Sequence, residues 1–453
     1  MEQILCIHIG QAGIQVGIEF WKLLIKEHGL NYQGEIENEP RGYIESMFSE
    51  DNDGKCSPRA IFWDLDPYTI DKFIQSDIGT LINPDNLVVG KESASSNFSK
   101  GHCSAGKEII PELLDKIQHL INECDNLRTI AIFSSVSGGT GGGLSSLLLE
   151  KLCVSYTKFN RICFNIIPSL YESESVIVPL SFVLAFRYFI ENAHLNILYE
   201  NSSLAKICEK FLKIENPSLE DMNKIIALSA SSTLTASRFP SSSDFNVQKL
   251  IHSMVPYPTM HFVNPSYAPF SLEIDRKDND FALNDIVKSV LDDDHCLNSC
   301  EQMKYPDYWK RYGSVANCFQ FRGEVEPGEV ATSLESILPK LRFPGFIPRG
   351  INSYIWNEPC TTFEDITVPK AVHMLEGSTR IYENFCQYSF KYDITYTKRH
   401  YVSWIIGEGL DSSEMDESRE IFANLIRDYN SNAIEYYFLY DGIDDGEGEG
   451  EGE

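Results

Sequence analysis

The sequence predicts an α/β chain with a doubly wound sheet domain, a second α+β domain and C-terminal helices. In the first 200 residues, short apolar segments alternate with amphipathic stretches, as they do when helices cover a parallel sheet. The predicted strands are residues 4–9, 60–63, 129–133 and 162–167, and the predicted helices are residues 14–24, 109–120 and 144–152.

The pattern changes near residue 201, where the sheet domain is expected to end. Helices are predicted near residues 204–212 and 221–234, and Pro256 and Pro258 then break the chain before a strand-like run at 261–263. The expected segments are a sheet domain at 1–200, an α+β domain at 201–377, a helical region at 378–440 and a tail at 441–453.

The C-terminal region combines an amphipathic helix with an acidic tail. Apolar residues recur at helical spacing, so one face of this helix packs inward while its acidic face stays in water. These apolar residues are Ile421, Phe422, Leu425, Ile426 and Tyr429. The last 13 residues, 441–453, contain seven acidic residues and five glycines, a composition that predicts a disordered, self-repelling tail.

Composition argues against several classes of function. The chain has 453 residues and a formal net charge of −28. Because nucleic acids and anionic membranes bind basic surfaces, this charge argues against both and favours basic protein partners. We find no signal peptide, and the most apolar stretch, 176–186, is too short to cross a bilayer. The twelve cysteines include no CxxC pair, which indicates reduced cytosolic thiols rather than a zinc site.

The strongest chemical signal is a glycine-rich loop between a predicted strand and a predicted helix. Its sequence is Ser137-Gly138-Gly139-Thr140-Gly141-Gly142-Gly143. Glycines let backbone N–H groups point into one concavity, the next helix N-terminus adds partial positive charge, and Thr140 adds a hydroxyl donor. The loop therefore predicts a phosphate site, since a flexible linker would not stand between a buried strand and an apolar helix.

A second glycine-containing segment follows the first predicted strand. Gly10, Gly13 and Gly17 lead into the first helix, with Gln11 and Gln15 between them as polar side chains. The spacing is not GxGxxG, so a dinucleotide site is not supported.

Two other segments have the composition of ligand sites. Residues 101–108 resemble a Walker loop, but Glu108 replaces the magnesium-binding Ser or Thr, and we reject the P-loop interpretation. Asp64 and Asp66 follow a predicted strand, at the sheet edge where doubly wound folds bind ligands. Asp66 is therefore a candidate magnesium ligand, directly or through water.

Taken together, these motifs resemble those of the tubulin family, and the resemblance runs from end to end of the chain. The glycine-rich loop resembles the family's GGGTGSG signature, and residues 8–13 resemble the alpha-tubulin opening. Residues 254–258 (MVPYP) and 404–409 (WIIGEG) match as well. The long segment 350–369 favours an alpha-type over a beta-type chain.

The resemblance implies a GTP- and magnesium-binding subunit of microtubules or a microtubule-based structure, assembled with a beta-type tubulin. It also implies microtubule-associated or motor proteins on the acidic C-terminal face, and a location in the cytoplasm and cytoskeleton, with cilia and basal bodies included. By position, the residues expected to bind the nucleotide are Gly10, Gln11, Ala12, Gln15, Ser135, Ser137, Gly138, Gly139, Thr140, Gly141, Glu174, Asn201, Leu219 and Asn223.

Several positions depart from the family pattern. Leu219 replaces an aromatic residue stacked on guanine, Val178 a glutamate near the ribose, and Glu174 a threonine near the nucleotide. Ser93 replaces an aspartate of a phosphate-side loop. Most consequentially, Lys249 stands where an alpha subunit offers an acidic residue to its neighbour's GTP. An ammonium cannot act as a base near its usual pKa, so we expect no promotion of hydrolysis.

Alternatives to this interpretation stay open. The chain could be a GTPase that turns over without assembly, or a pseudo-tubulin that binds proteins and no nucleotide. At Lys249, the alternative is that Asp244, over one helical turn away, supplies the missing acid.

Overall fold

The computed structural model describes residues 2–37, 41–51, 53–169, 175–241, 245–270, 282–298, 313–341, 343, 350–361 and 367–444. Its main feature is a single sheet of ten strands, which come from both the first and the second half of the chain. The strands in chain order are β1 Gln3–Ile9, β2 Phe48–Glu50, β3 Cys56–Pro58, β4 Ala60–Asp64, β5 Leu87–Val89, β6 Leu127–Ser135, β7 Asn160–Ile167, β8 Leu195–Glu200, β9 Phe262–Ala268, β10 Ser314–Gly323, β11 Ile351–Trp356, β12 Cys360–Thr361, β13 Thr367–Val368 and β14 Lys370–Ser378. Two pairs among them, β2 with β3 and β12 with β13, form separate two-stranded sheets.

Helices cover both faces of this sheet. They are α1 Gly10–His28, α2 Pro67–Ile74, α3 Ala105–Asn122, α4 Ser145–Ser155, α5 Val178–Asn192, α6 Asn201–Lys210, α7 Leu219–Thr233, α8 Thr235–Arg238, α9 Val247–Met254, α10 Leu283–Val290, α11 Pro327–Ile337, α12 Tyr382–Thr397, α13 Val402–Ile406 and α14 Ser412–Asp444. Wide helical turns at Lys100–Ser104 and Gly138–Leu144 lead into α3 and α4. None of the helices within the described residues is long and apolar enough to cross a membrane.

The first half of the sheet is parallel, in the order β5-β4-β1-β6-β7-β8. From the central strand β1 the chain first builds outward through β4 and β5, and then in the other direction through β6, β7 and β8. This reversal defines a doubly wound fold and confirms the predicted class. In such a fold, a crevice opens at the carboxyl ends of the strands where the order reverses, which here is between β1 and β6.

The second half continues the same sheet. Strand β9 pairs in parallel with β8, and β14 and β10 then add antiparallel before β11 closes the far edge. The predicted strand at 261–263 is therefore the start of β9, which joins the two halves. Because this pairing is non-local, the sequence did not show that the α+β region would share a sheet with the first 200 residues.

Side chains of β1 alternate between two cores. Ile4 and Cys6 face the core beside α1 and α7, whereas Ile7 and Ile9 face the core beside α4, α5 and α14. Such two-sided burial is typical of a parallel strand with helices on both faces.

Helix α14 carries the predicted apolar stripe. Its Phe422 and Leu425 are buried against the second of these cores. The helix ends at Asp444, so it extends four residues into the segment predicted to be a disordered tail. The rest of that tail, residues 445–453, lies outside the described part of the chain.

A buried ionic cluster joins α1, α8 and β10. Glu27 Oε2 lies 2.7 Å from Arg238 Nη1, and Glu27 Oε1 lies 2.8 Å from Arg322 Nη1. Ser231 on α7 donates a third bond to the same carboxylate at 2.7 Å. Burial alone would raise the pKa of Glu27, but the two guanidinium groups and Ser231 lower it to about 2. The carboxylate is thus ionised, and the cluster is complete at neutral pH.

We predict that folding is sensitive to mild acid because of buried histidines. Burial lowers the pKa of His8 and His373 to about 3, and that of His28 and His102 to about 4. A histidine in the unfolded chain has a pKa near 6.5. Below that pH, these histidines bind protons in the unfolded chain but not in the folded chain. Stability is therefore complete above pH 6.5 and falls by about 1.4 kcal/mol per pH unit for each such histidine.

Urea unfolding at pH 7, 6 and 5 measures this loss. The clustered carboxylate of Glu27 adds its own loss only below its unfolded pKa, which is about 4.3, so it does not interfere in this range. An unfolding free energy that stays constant from pH 7 to 5 would contradict the prediction.

Candidate functional site

A cleft of about 370 Å³ opens at the crevice between β1 and β6. This volume lies within the range of small-ligand pockets in proteins. The cleft is lined by residues from the loops after five parallel strands and from the first turns of α7: Gly10, Gln11, Ala12, Gln15, Asp64, Asp66, Thr69, Ser93, Ser96, Ser135, Ser137, Gly138, Gly139, Thr140, Gly141, Ile166, Asn201, Leu219 and Asn223.

The predicted nucleotide residues come together in this cleft. Every one that the structure describes is among the lining residues, from Gly10 after β1 to Asn223 on α7. Glu174 lies outside the described residues. The structure shows that these residues line one cleft, whereas the contact of each side chain with a nucleotide remains a prediction.

The two glycine segments meet through backbone contact. Gly10 has a φ of +72°, and a Cβ there would stand 3.1 Å from the backbone nitrogen of Gly141. A Cβ on Gly13 would come within 2.2 Å of the carbonyl oxygen of Phe133. Only a residue without a side chain permits this approach, which sets the start of α1 against the end of β6 and places both loops around one concavity.

The Walker-like segment, residues 101–108, packs behind the glycine-rich loop and does not line the cleft. None of residues 101–108 is among the lining residues. A Cβ on Gly101 would stand 1.9 Å from the carbonyl oxygen of Gly139, so this turn packs directly under the glycine-rich loop. Lys107, the residue that would reach phosphate in a P-loop, is exposed at the surface. The structure thus agrees with the rejection of a P-loop and gives these glycines a packing role.

Helix α4 anchors the glycine-rich loop from its other end. The hydroxyl of Ser146 donates to the carbonyl oxygen of Gly142 at 2.6 Å, and Ser145 donates to that of Gly141. These bonds hold the last carbonyls of the wide turn toward α4. The loop is thereby fixed at both ends, as preorganised binding of an anion by backbone N–H groups requires.

Two carboxylates stand at the cleft edge that follows β4. Asp66 caps α2 by accepting from the backbone N–H of Tyr68 at 3.1 Å. Asp64 is almost completely buried and accepts from the backbone N–H of Asp66 at 3.1 Å, and burial raises its pKa. The sequence had singled out Asp66, although Asp64 occupies the last position of the strand and lines the same cleft.

These acids fit a magnesium ion that is held jointly with phosphates. Within the described chain, no three His, Cys, Asp or Glu residues are grouped closely enough to hold a metal alone. Magnesium is usually bound by one or two carboxylates together with substrate phosphates and water. Asp66 and Asp64 supply that number of carboxylates, and bound magnesium would neutralise phosphate charge.

Helix α7 contributes two residues to the cleft. Ser218 and Asp221 form a reciprocal capping box at its N-terminus, which fixes where the helix begins. Leu219 and Asn223 are one turn apart and both line the cleft. The side chain of Leu219 is 53% exposed, so a ligand in the cleft could contact it.

Sequence reasoning missed three other lining residues, Thr69, Ser96 and Ile166. Ile166 belongs to β7 and has no polar signal. Ser95 and Ser96 have positive φ values of 49° and 62°, a backbone feature that a serine does not reveal in a sequence. The next residue, Asn97, donates to the carbonyl oxygen of Trp404 at 3.1 Å and so ties this loop to α13.

Lys249 is not part of this cleft. It lies on the exposed side of α9, whose buried side carries Leu250 and Met254. Asn246 caps the helix by accepting from the backbone N–H of Lys249 at 2.8 Å. Asp244, the alternative acid, lies outside the described residues.

The fold and the cleft define a phosphate-binding protein of the doubly wound class. A model of the GTPase domain of the Tubulin/FtsZ family matches residues 3–209, and a model of the tubulin C-terminal domain matches residues 258–389. The chain is 35% identical over 440 residues to the "Tubulin alpha chain, nucleomorph" of Guillardia theta. It is 34% identical over 440 residues to the "Tubulin alpha-1 chain" of Arabidopsis thaliana. Each alignment covers 95% of this chain and 96% of the relative.

The chain therefore belongs to the tubulin family, as a divergent alpha-tubulin-like member. Membership implies GTP binding and a cytoskeletal role.

We predict that Gly13→Ala destabilises the protein by about 1–3 kcal/mol, the usual cost of forcing an extra group into a packed core. The new methyl group would overlap the carbonyl oxygen of Phe133, and this cost outweighs the higher helix propensity of alanine. Gly328→Ala is the matched control, because Gly328 also lies in a helix and a Cβ there meets nothing within 4 Å. Thermal unfolding of both variants tests this; equal midpoints would contradict it.

Proposed function

We propose that this chain is a GTP- and magnesium-binding structural subunit that assembles head to tail with a beta-type tubulin. The microtubule or a specialised array, such as that of cilia or basal bodies, is the polymer that such a subunit would enter. The single observation that carries the proposal is that the nucleotide cleft and helix α9 lie at opposite edges of one parallel sheet.

The position of α9 follows from its contacts. Glu2, which precedes β1, accepts from the backbone N–H of Val247 at 3.3 Å and from the hydroxyl of Thr129 at 2.9 Å. Helix α9 therefore begins at the amino ends of β1 and β6, whereas the cleft is at their carboxyl ends. The seven residues of β1 separate the two edges by about 20 Å at the usual strand rise.

This arrangement favours a head-to-tail polymer. When unlike surfaces of successive subunits meet without closing a ring, the contacts extend into a filament. In such a filament, the α9 edge of one subunit meets the cleft of the next. An exposed residue of α9 would then act on the neighbour's nucleotide and not on its own.

An aromatic patch beside the cleft is suited to a protein partner. Tyr401, Trp404 and Ile406 are exposed around α13, with Trp404 at 39%. This patch is joined to the cleft loop by the bond from Asn97 to the carbonyl oxygen of Trp404. Because exposed aromatic residues are typical of interface centres, the patch favours a subunit that covers the cleft.

Helix α14 offers a second, acidic surface. Asp416, Glu417 and Glu420 are exposed on the side opposite its buried stripe. Basic microtubule-associated or motor proteins are the partners that this charge favours, and their attraction would weaken as salt screens it.

Lys249 determines which reaction the α9 edge can support. A carboxylate at this exposed position could orient and deprotonate an attacking water, whereas an ammonium has only donors to offer. Lysine instead stabilises the negative charge of the triphosphate. We infer that the chain caps its neighbour's GTP without promoting hydrolysis.

We predict that Leu219→Tyr tightens GTP binding about fivefold, because an aromatic ring stacked on guanine contributes about 1 kcal/mol. The natural chain should hold about one guanine nucleotide. Affinity is measured by competition with a fluorescent GTP analogue after nucleotide extraction. Val154→Tyr is the control, since Val154 is exposed on α4 outside the cleft and its replacement should leave affinity unchanged. Equal affinities of the natural chain and Leu219→Tyr would count against the assignment of Leu219 to the base.

We predict that Lys249→Glu accelerates phosphate release from polymers formed with a beta subunit by roughly a hundredfold to ten-thousandfold, the usual effect of a positioned base. Lys249→Gln is the matched control: it removes the charge without adding a base and should leave release slow. Phosphate release during co-assembly is the measurement. Rapid release from the natural chain, unchanged by Lys249→Glu, would overturn the assignment.

A further inference from the structure

Four buried polar side chains form one hydrogen-bonded series between α7 and the second half of the sheet. The hydroxyl oxygen of Tyr199 on β8 lies 3.1 Å from Ser229 Oγ on α7. Ser229 Oγ lies 2.9 Å from Nε2 of His373 on β14. His373 Nδ1 lies 2.8 Å from Oε1 of Gln320, which stands directly opposite on β10. None of the four is more than 1% exposed, and we call this series the core relay.

The hydrogen bonds of the core relay all donate in one direction, from Tyr199 towards Gln320. Because Oε1 of Gln320 is an acceptor, His373 donates to it from Nδ1, and its Nε2 must accept from the hydroxyl of Ser229. Ser229 in turn accepts from Tyr199. Burial, reinforced by the charge of Arg322, lowers the pKa of His373 to about 3, so the imidazole is neutral and keeps this tautomer.

A second polar connection fixes the same helix to the same strand. Gln320 and Arg322 are two residues apart on β10 and so point to one face of the sheet. Arg322 binds Glu27 at 2.8 Å, and Glu27 accepts from Ser231 of α7 at 2.7 Å. Helix α7 is thus bonded to β10 through two separate networks. A shift of α7 by one turn would break both, and each would leave buried polar groups without partners.

The relay is better suited to specifying position than to adding stability. Hydrogen bonds buried in an apolar core give little net free energy, since the same groups bond to water in the unfolded chain. Apolar replacements of similar volume are often neutral. What the relay does supply is a single register of α7 against the sheet.

That register matters at the cleft. Leu219 and Asn223, on the first turns of α7, line it, and Asn223 precedes Ser229 by only six residues, or about 9 Å of helix. Tyr199 stands two residues before Asn201, another lining residue. The relay therefore acts on the two elements that carry these side chains.

We propose that Ser229 and His373 are positioning residues for the nucleotide, which fix α7 so that Asn223 and Leu219 meet the bound guanosine. This inference rests on the proposed nucleotide site. It makes the second half of the sheet a determinant of nucleotide affinity, although none of its strands lines the cleft.

The test compares nucleotide dissociation from the purified full chain with that from Ser229→Ala and from the double variant Ser229→Ala/His373→Leu. The double variant replaces both inner groups of the core relay by apolar side chains, so it does not contain the unpaired Nε2 of His373 that Ser229→Ala alone would leave. We expect dissociation of a fluorescent GTP analogue to be about threefold to tenfold faster in both, the usual effect of one hydrogen bond. Urea unfolding of the double variant should remain a single transition with a lower midpoint, since Tyr199 and Gln320 each lose a buried hydrogen-bond partner.

Ser232→Ala is the matched control. Ser232 is equally buried on α7, but among the described residues its hydroxyl bonds within its own helix, to the carbonyl oxygen of Leu228 at 2.9 Å. This variant should bind nucleotide like the natural chain. If it also accelerates dissociation, general loosening of α7 is the cause and the positioning role is wrong.

Combination with Asn223→Ala shows whether the relay acts through the start of α7. If it does, Ser229→Ala adds little to the effect of Asn223→Ala, whereas independent effects would multiply. Multiplying effects, or unchanged dissociation in the relay variants, would overturn the inference and leave the nucleotide site intact. A natural chain that binds no guanine nucleotide would instead overturn the proposed function.

Discussion

Backbone-to-backbone contact among three glycine-containing segments is the constraint on which the rest of the site depends. The start of α1 touches the end of β6 at Gly13, and the turn before α3 touches the glycine-rich loop at Gly101. A methyl group at either place would overlap a carbonyl oxygen. These contacts hold the loops after β1 and β6 around a concavity of backbone donors, which no arrangement of side chains could form at that separation.

Helix α7 connects that concavity to the remainder of the molecule. Its first turns line the cleft, and its later turns are bonded to β8 and β14 through Ser229 and to α1 through Ser231. Polar links of this kind favour one register of the helix, because a shift would leave buried polar groups without partners. The same helix, α7, therefore both lines the cleft and packs against the second half of the sheet.

The parallel sheet also gives the subunit its direction. The carboxyl ends of the strands carry the cleft, and their amino ends carry α9 with Lys249. In the head-to-tail polymer that we propose, Lys249 would bring an ammonium to the neighbour's phosphates, where it could attract charge but could not accept a proton from water. Under that proposal, the residue type at this one position separates the binding of GTP from its hydrolysis.

The sequence by itself determined the doubly wound class, most strands and helices in the first half of the sheet, and most of the residues that line the cleft. These features depend on local periodicity and on glycines that follow strands, both of which are visible in a short window. Only the tertiary structure decided that β9 joins the α+β region to the same sheet, that Gly101 supports the loop from behind, and that Tyr199, Ser229, His373 and Gln320 are hydrogen-bonded. Such contacts join segments far apart in the chain, so they leave no spacing in the sequence from which they could be predicted.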